Sequence, residues 1–147
     1  MIRDWETHKL SPLERRVITA LTEALYVPFG PGLTPGEREL ALREIVDDLE
    51  LWLSAPDVLL RTAFTALLTT IELSPVRYGF GPRRMSDLPL EARIRYVAAL
   101  NAADSIPLDT WKSIIGMAYF SRPVGAEQLD LVDRLTEQEL AATGSGR

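Results

Sequence analysis

The sequence contains no cysteine and one histidine, His8. The first absence excludes disulfides, thiol nucleophiles and thiolate zinc sites. The second leaves any Ser–His arrangement dependent on a residue near a terminus, where a solvated side chain is the ordinary reading. Basic residues are in the minority: 16 Lys and Arg stand against 21 Asp and Glu, a net charge of -5. A nucleic-acid binder carries the opposite balance, so none is expected as a partner. No apolar run reaches the roughly 18–20 residues of a membrane span. Residues 1–10 include Arg3, Asp4, Glu6, His8 and Lys9 and have no apolar leader core. Arg15-Arg16 is followed by an amphipathic stretch carrying Glu23, unlike a twin-arginine leader. A cytoplasmic location is expected, or a periplasmic one if a leader has been removed.

What is present points to helices. Ser11-Pro12-Leu13-Glu14 and Thr34-Pro35-Gly36-Glu37 have the form of capping boxes, with Pro at the first helical position, and Ser54-Ala55-Pro56-Asp57 is a looser version. Leu13, Val17, Ala20, Leu21, Ala24 and Leu25 recur at helical spacing over 12–26. A second helix over 35–53 aligns Leu42, Ile45, Val46, Leu49, Trp52 and Leu53, with Glu44, Asp47, Asp48 and Glu50 on a wet outer face. The third, over 56–73, is apolar on most sides, which predicts a central position. Further helices are expected over 89–103 (Leu90, Ile94, Val97, Ala98), 107–121 (Trp111, Ile114, Ile115, Ala118, Tyr119) and 126–141. No strand-like alternation, internal repeat or long linker is present. The expected fold is an all-α single bundle of five to six helices with no sheet. It comprises a flexible segment at 1–10, a helical domain at 11–125, and an acidic helix with a disordered tail at 126–147. At 147 residues such a domain buries about 68–70% of its unfolded surface without covalent staples.

Chemistry-bearing patterns are scarce. No Glu-x-x-His metal motif occurs, and Gly30-Pro31-Gly32 and Gly79-Phe80-Gly81 are too short for phosphate loops. No catalytic residue, metal or cofactor is therefore expected. An enzyme would need an acid–base pair among Glu72, Asp104, Tyr78 and Arg84 in one cleft. The most informative stretch is the irregular 74–88 segment. Tyr78, Phe80, Arg83 and Arg84 have the composition of interface anchors, and Tyr119 and Arg122 at the end of the fifth helix join the same candidate surface. The alternative is that Tyr78, Phe80 and Met85 fold back as core plugs. Base stacking on the aromatics conflicts with the acidic whole.

The order of pieces resembles the gluconate 2-dehydrogenase subunit 3 family over about residues 10–123. Leu10-Ser11-Pro12-Leu13-Glu14, then Ala20-Leu21-Thr22-Glu23-Ala24-Leu25 and Pro28, is similar to its opening. Met85-Ser86-Asp87-Leu88-Pro89-Leu90-Glu91-Ala92-Arg93 is similar to its Leu-Pro-x-x-x-Arg element, with Met85 where an aromatic is usual. Trp111-Lys112-Ser113-Ile114-Ile115 through Tyr119 and Pro123 is similar to its closing helix. Family members often carry a twin-arginine leader; this sequence shows none. The resemblance implies a non-catalytic accessory subunit, holding no flavin, that stabilises or helps assemble a larger flavin-dependent oxidoreductase of the glucose–methanol–choline type. The alternative from the residues alone is a free-standing helical interaction module, or a small-ligand-binding module with the third helix lining its pocket.

Overall fold

The computed structural model describes residues 9–26, 33–54, 57–121, 134–135 and 137–143. Five α-helices form the body: α1 (Pro12–Tyr26), α2 (Pro35–Leu53), α3 (Val58–Leu73), α4 (Leu90–Ala102) and α5 (Ile106–Phe120). Two short 3-10 turns, Pro75–Tyr78 and Met85–Asp87, lie between α3 and α4. Among the described residues there is no strand, so the all-α bundle is as expected. The 74–88 stretch differs from expectation in holding these turns. Helical residues also occur within 134–143, all exposed; the helix reaches Thr143, into the expected tail. His8, the 27–32 connection, Pro56, Arg122 and the 126–133 part of the sixth helix lie outside the described residues.

Capping chemistry sets the helix starts. Ser11 and Glu14 exchange both capping-box bonds, Glu14 N–H to Ser11 Oγ at 3.1 Å and Ser11 N–H to Glu14 Oε1 at 3.3 Å. Thr34 and Glu37 do the same. At the third start the cap is Asp57, whose Oδ1 accepts from Leu60 N–H at 2.9 Å, so α3 begins two residues later than the 56–73 expectation. A carboxylate accepts that bond more strongly than a hydroxyl, which favours Asp57 over Ser54.

α1 is the central element. Ile18, Leu21 and Thr22 are fully buried, and α2, α3, α4 and the second turn all touch it. Thr22 is accommodated because its hydroxyl donates to Ile18 O at 2.7 Å. Leu13, expected inward, is half exposed. The reverse correction applies to α3, expected to be central: only Leu68, Ile71 and Glu72 are buried. α2 buries Ile45, Val46, Leu49 and Leu53, while Trp52 lies largely outside the core. Its acidic face is not wholly wet, because Asp47 and Glu50 pair with Arg15 of α1 at 2.6 and 3.2 Å. Glu50 also accepts the Leu10 N–H at 3.0 Å, and Leu10 is buried, so the expected flexible N-terminal segment ends in an anchored residue. α4 turns Tyr96, Val97 and Leu100 inward and leaves Ala98 exposed, a rotation from the expected face.

Two buried side-chain donors fasten α3 to its neighbours through its own carbonyls. Tyr96 Oη donates to Ile71 O at 2.7 Å, and Trp111 Nε1 donates to Phe64 O at 3.1 Å. Arg93 ties α4 to α1: Nη1 donates to Ala20 O at 2.9 Å, Nε donates to Leu88 O at 3.0 Å, and Nη2 lies 3.6 Å from Glu23.

α4 ends in a Schellman arrangement, with Ser105 N–H on Leu100 O at 3.1 Å and Asp104 N–H on Asn101 O at 3.2 Å. Asp104 occupies the left-handed position at φ 51°, where glycine is favoured. Asp104→Gly should raise stability by up to about 1 kcal/mol, and Asp104→Val should lower it by about 1–2 kcal/mol. Urea denaturation of the two variants beside the parent checks both signs.

Candidate functional site

The outer face of α3 is a continuous uncharged surface. At about 100° per residue, Val58, Leu59, Thr62, Ala63, Ala66, Thr69, Thr70 and Leu73 fall within an arc of about 140°. All eight are exposed, Leu59 at 80% and Val58 at 72%. The threonine hydroxyls do not make this face polar in the usual way. Those of Thr62, Thr69 and Thr70 donate to the carbonyls of Val58, Thr65 and Ala66, four residues back, at 2.7–2.9 Å.

The candidate loop begins where this face ends. Val76 follows Leu73 outward, and Arg77, Arg83 and Arg84 are exposed without an ion-pair partner among the described residues. The loop's aromatics point both ways. Tyr78 and Phe80 each meet the edge of Tyr96, with ring centroids 5.9 and 5.6 Å away. Phe80 is only partly accessible, Tyr78 is 37% exposed, and Met85 is fully buried as a core plug. The two readings of this segment thus divide by residue: Met85 plugs, Phe80 leans on the core, and Tyr78 with the arginines faces out.

Tyr119 is placed differently from expectation. It is buried at 7% and stacks on Tyr26 at 4.2 Å, so it is a core contact. Phe120, in the same candidate stretch, is 41% exposed beside it, and Met117 is 60% exposed on the same helix. Among the described residues Tyr119 does not join the Tyr78–Phe80–Tyr96 ring cluster; it meets the rings of Tyr26 and Phe120.

The four groups considered for acid–base chemistry have separate structural places. Glu72 is buried, and its Oε1 accepts from Ser86 N–H at 2.9 Å and Ser86 Oγ–H at 2.8 Å. Asp104 serves the α4–α5 junction, Tyr78 lies on Tyr96, and Arg84 precedes the second turn. No hydrogen bond or ion pair among the described residues joins them, and no cluster of three metal-ligating side chains occurs there. No described helix is long and apolar enough to cross a membrane.

A groove of about 490 Å³ runs between α1, α2 and the start of α4. Arg15, Thr19, Glu23, Arg38, Arg43 and Leu42 are among its walls. Compared with known proteins, the chain matches no protein-family model, no curated protein and no solved structure.

Burial pushes the Tyr26 phenol up to about 12, with the neighbouring Tyr119 adding to the shift. Burial also raises Tyr96, assisted by Tyr78 and Glu72. A raised phenol favours the protonated folded state. Its contribution is whole below the ordinary tyrosine value of about 10 and is lost as pH rises through the folded value. Stability should therefore fall between about pH 10 and 12, and Tyr26→Phe should shrink that fall. Denaturation at stepped pH, with phenolate absorbance followed in parallel, measures both.

Proposed function

We propose that this chain is a non-catalytic accessory subunit that docks a larger protein through the outer face of α3 and the adjoining 76–84 segment. The carrying observation is the uncharged arc of α3 ending at three exposed arginines that have no ion-pair partner among the described residues. An exposed leucine is ordinary on any surface, but a continuous helix face without charge is a site where association removes apolar area from water. The arginines select what covers it. In a chain of net charge -5, Arg77, Arg83 and Arg84 form a local basic rim suited to carboxylates on the partner. Apolar contact on α3 would supply affinity, and the rim would supply register.

The partner class follows from the resemblance in the opening, Leu-Pro-x-x-x-Arg and closing segments: a flavin-dependent oxidoreductase of the glucose–methanol–choline type. A stable complex of this kind buries on the order of 1,600 Å² or more. Tyr78 remains a rim contact in this reading, Phe80 a support for it, and Tyr119 a core residue.

Affinity capture of the tagged full chain from its host should recover a large protein with bound flavin, identified by mass spectrometry and flavin absorbance. Leu59→Arg with Ala66→Arg, two exposed positions, should abolish recovery while leaving the circular dichroism spectrum unchanged. Arg77→Ala with Arg84→Ala should weaken recovery and reduce its salt dependence. Capture without any flavoprotein overturns the partner class. Capture unaffected by the α3 pair overturns the surface.

A further inference from the structure

We propose that the groove between α1, α2 and the start of α4 binds a small organic carboxylate, with Arg38 as its counter-ion. This site is separate from the α3 surface and does not depend on the partner assigned to it. The argument starts from charge pairing in the walls. Arg15 is held by Asp47 and Glu50. Arg43 lies 3.6 Å from Glu39, and Glu23 lies 3.6 Å from Arg93. Among the described residues, Arg38 alone of the lining cations has no counter-charge, and its Nε is buried without an acceptor there. A guanidinium donor removed from water and left unbonded is an energetic liability that an anion would relieve.

Position reinforces this. Arg38 sits in the opening turns of α2, its N–H bonded to Thr34 O. The positive end of the helix dipole disfavours a cation there and favours an anion. The helix start is itself closed by the Thr34–Glu37 capping box, so the Arg38 guanidinium is the positive feature that an anion in the groove would meet.

The other walls select the rest of the ligand. Pro35, Leu42, Val46 and Leu90 offer apolar contact along the groove. A volume of about 490 Å³ lies within the range of small-molecule sites. Glu23 and Glu39 in the same walls oppose a second negative charge. One unpaired cation, two carboxylates and an apolar floor fit a monoanion with a short hydrocarbon body better than a dianionic phosphate.

The test is a titration of the isotope-labelled full chain with hexanoate, acetate, hexan-1-ol and inorganic phosphate, followed by NMR. Hexanoate should shift the Arg38 Nε–H resonance and the methyls of Val46 and Leu90. Acetate and hexan-1-ol should each bind about tenfold or more weakly, since each lacks one half of the recognised ligand. Arg38→Gln, at a partly exposed position, should reduce hexanoate affinity to the level of hexan-1-ol with the rest of the spectrum retained. Three results overturn the proposal: no hexanoate shift at Arg38, unchanged hexanoate affinity in Arg38→Gln, or phosphate binding as tightly as hexanoate.

Discussion

The burial of α1 on several sides is the constraint on which the bundle depends. A helix surrounded this way must find a dry neighbour for each enclosed face. Val17, Ile18, Leu21 and Leu25 do so through their side chains, and Thr22 through its bond to the preceding turn. The remaining elements are then placed by what they contribute to that enclosure. α2 adds Ile45, Val46 and Leu49, with Arg15–Asp47 and Arg15–Glu50 as a polar seam along its border. α4 adds Tyr96, Val97 and Leu100, and Arg93 reaches the Ala20 carbonyl. Because Arg93 also holds the Leu88 carbonyl, α1, α4 and the second turn share one side chain as a junction.

α3 shows the consequence of a different attachment. It is held through Tyr96 and Trp111, which donate to its carbonyls, and through Glu72, which binds Ser86. All of these lie on its inner side. Nothing on the inner side requires the outer face to be apolar, yet that face carries no charged residue from Val58 to Leu73. The 76–84 segment is oriented by the same contacts. Met85 and Ser86 are secured at its end, Phe80 rests on Tyr96, and the arginines remain in solvent.

Local chemistry made much of the fold legible from the chain. Ser11–Glu14 and Thr34–Glu37 marked helix starts because a capping box is complete within four residues. Spacing revealed the inner faces of α1 and α5, where the apolar stripe is narrow and polar residues define its edges. In α4 it placed Val97 and Ile94 toward the core but put exposed Ala98 inward and missed Tyr96, which is fully buried. An aromatic hydroxyl goes inward only if a distant acceptor exists, here the Ile71 carbonyl, and no local pattern shows that. It failed for α3 because an apolar helix has no polar edge from which an inner side can be read. Tyr119 was misplaced for a related reason: a Tyr beside a Phe at a helix end leaves open which ring stacks on Tyr26 and which faces water.

The amino-acid sequence by itself determined the helical class, the approximate bounds of five helices, the lack of thiol chemistry and the basic character of the 77–84 segment. These follow from composition and from interactions spanning a few residues. Tertiary structure alone decided that α1 rather than α3 is central, that Asp47 and Glu50 bind Arg15, that Glu72 is enclosed with Ser86, and that Arg38 Nε is buried in a groove with no acceptor among the described residues. Each of those outcomes depends on which surfaces meet across the bundle. Burial and charge pairing are properties of such meetings, and helical periodicity constrains them only to a face, never to a neighbour.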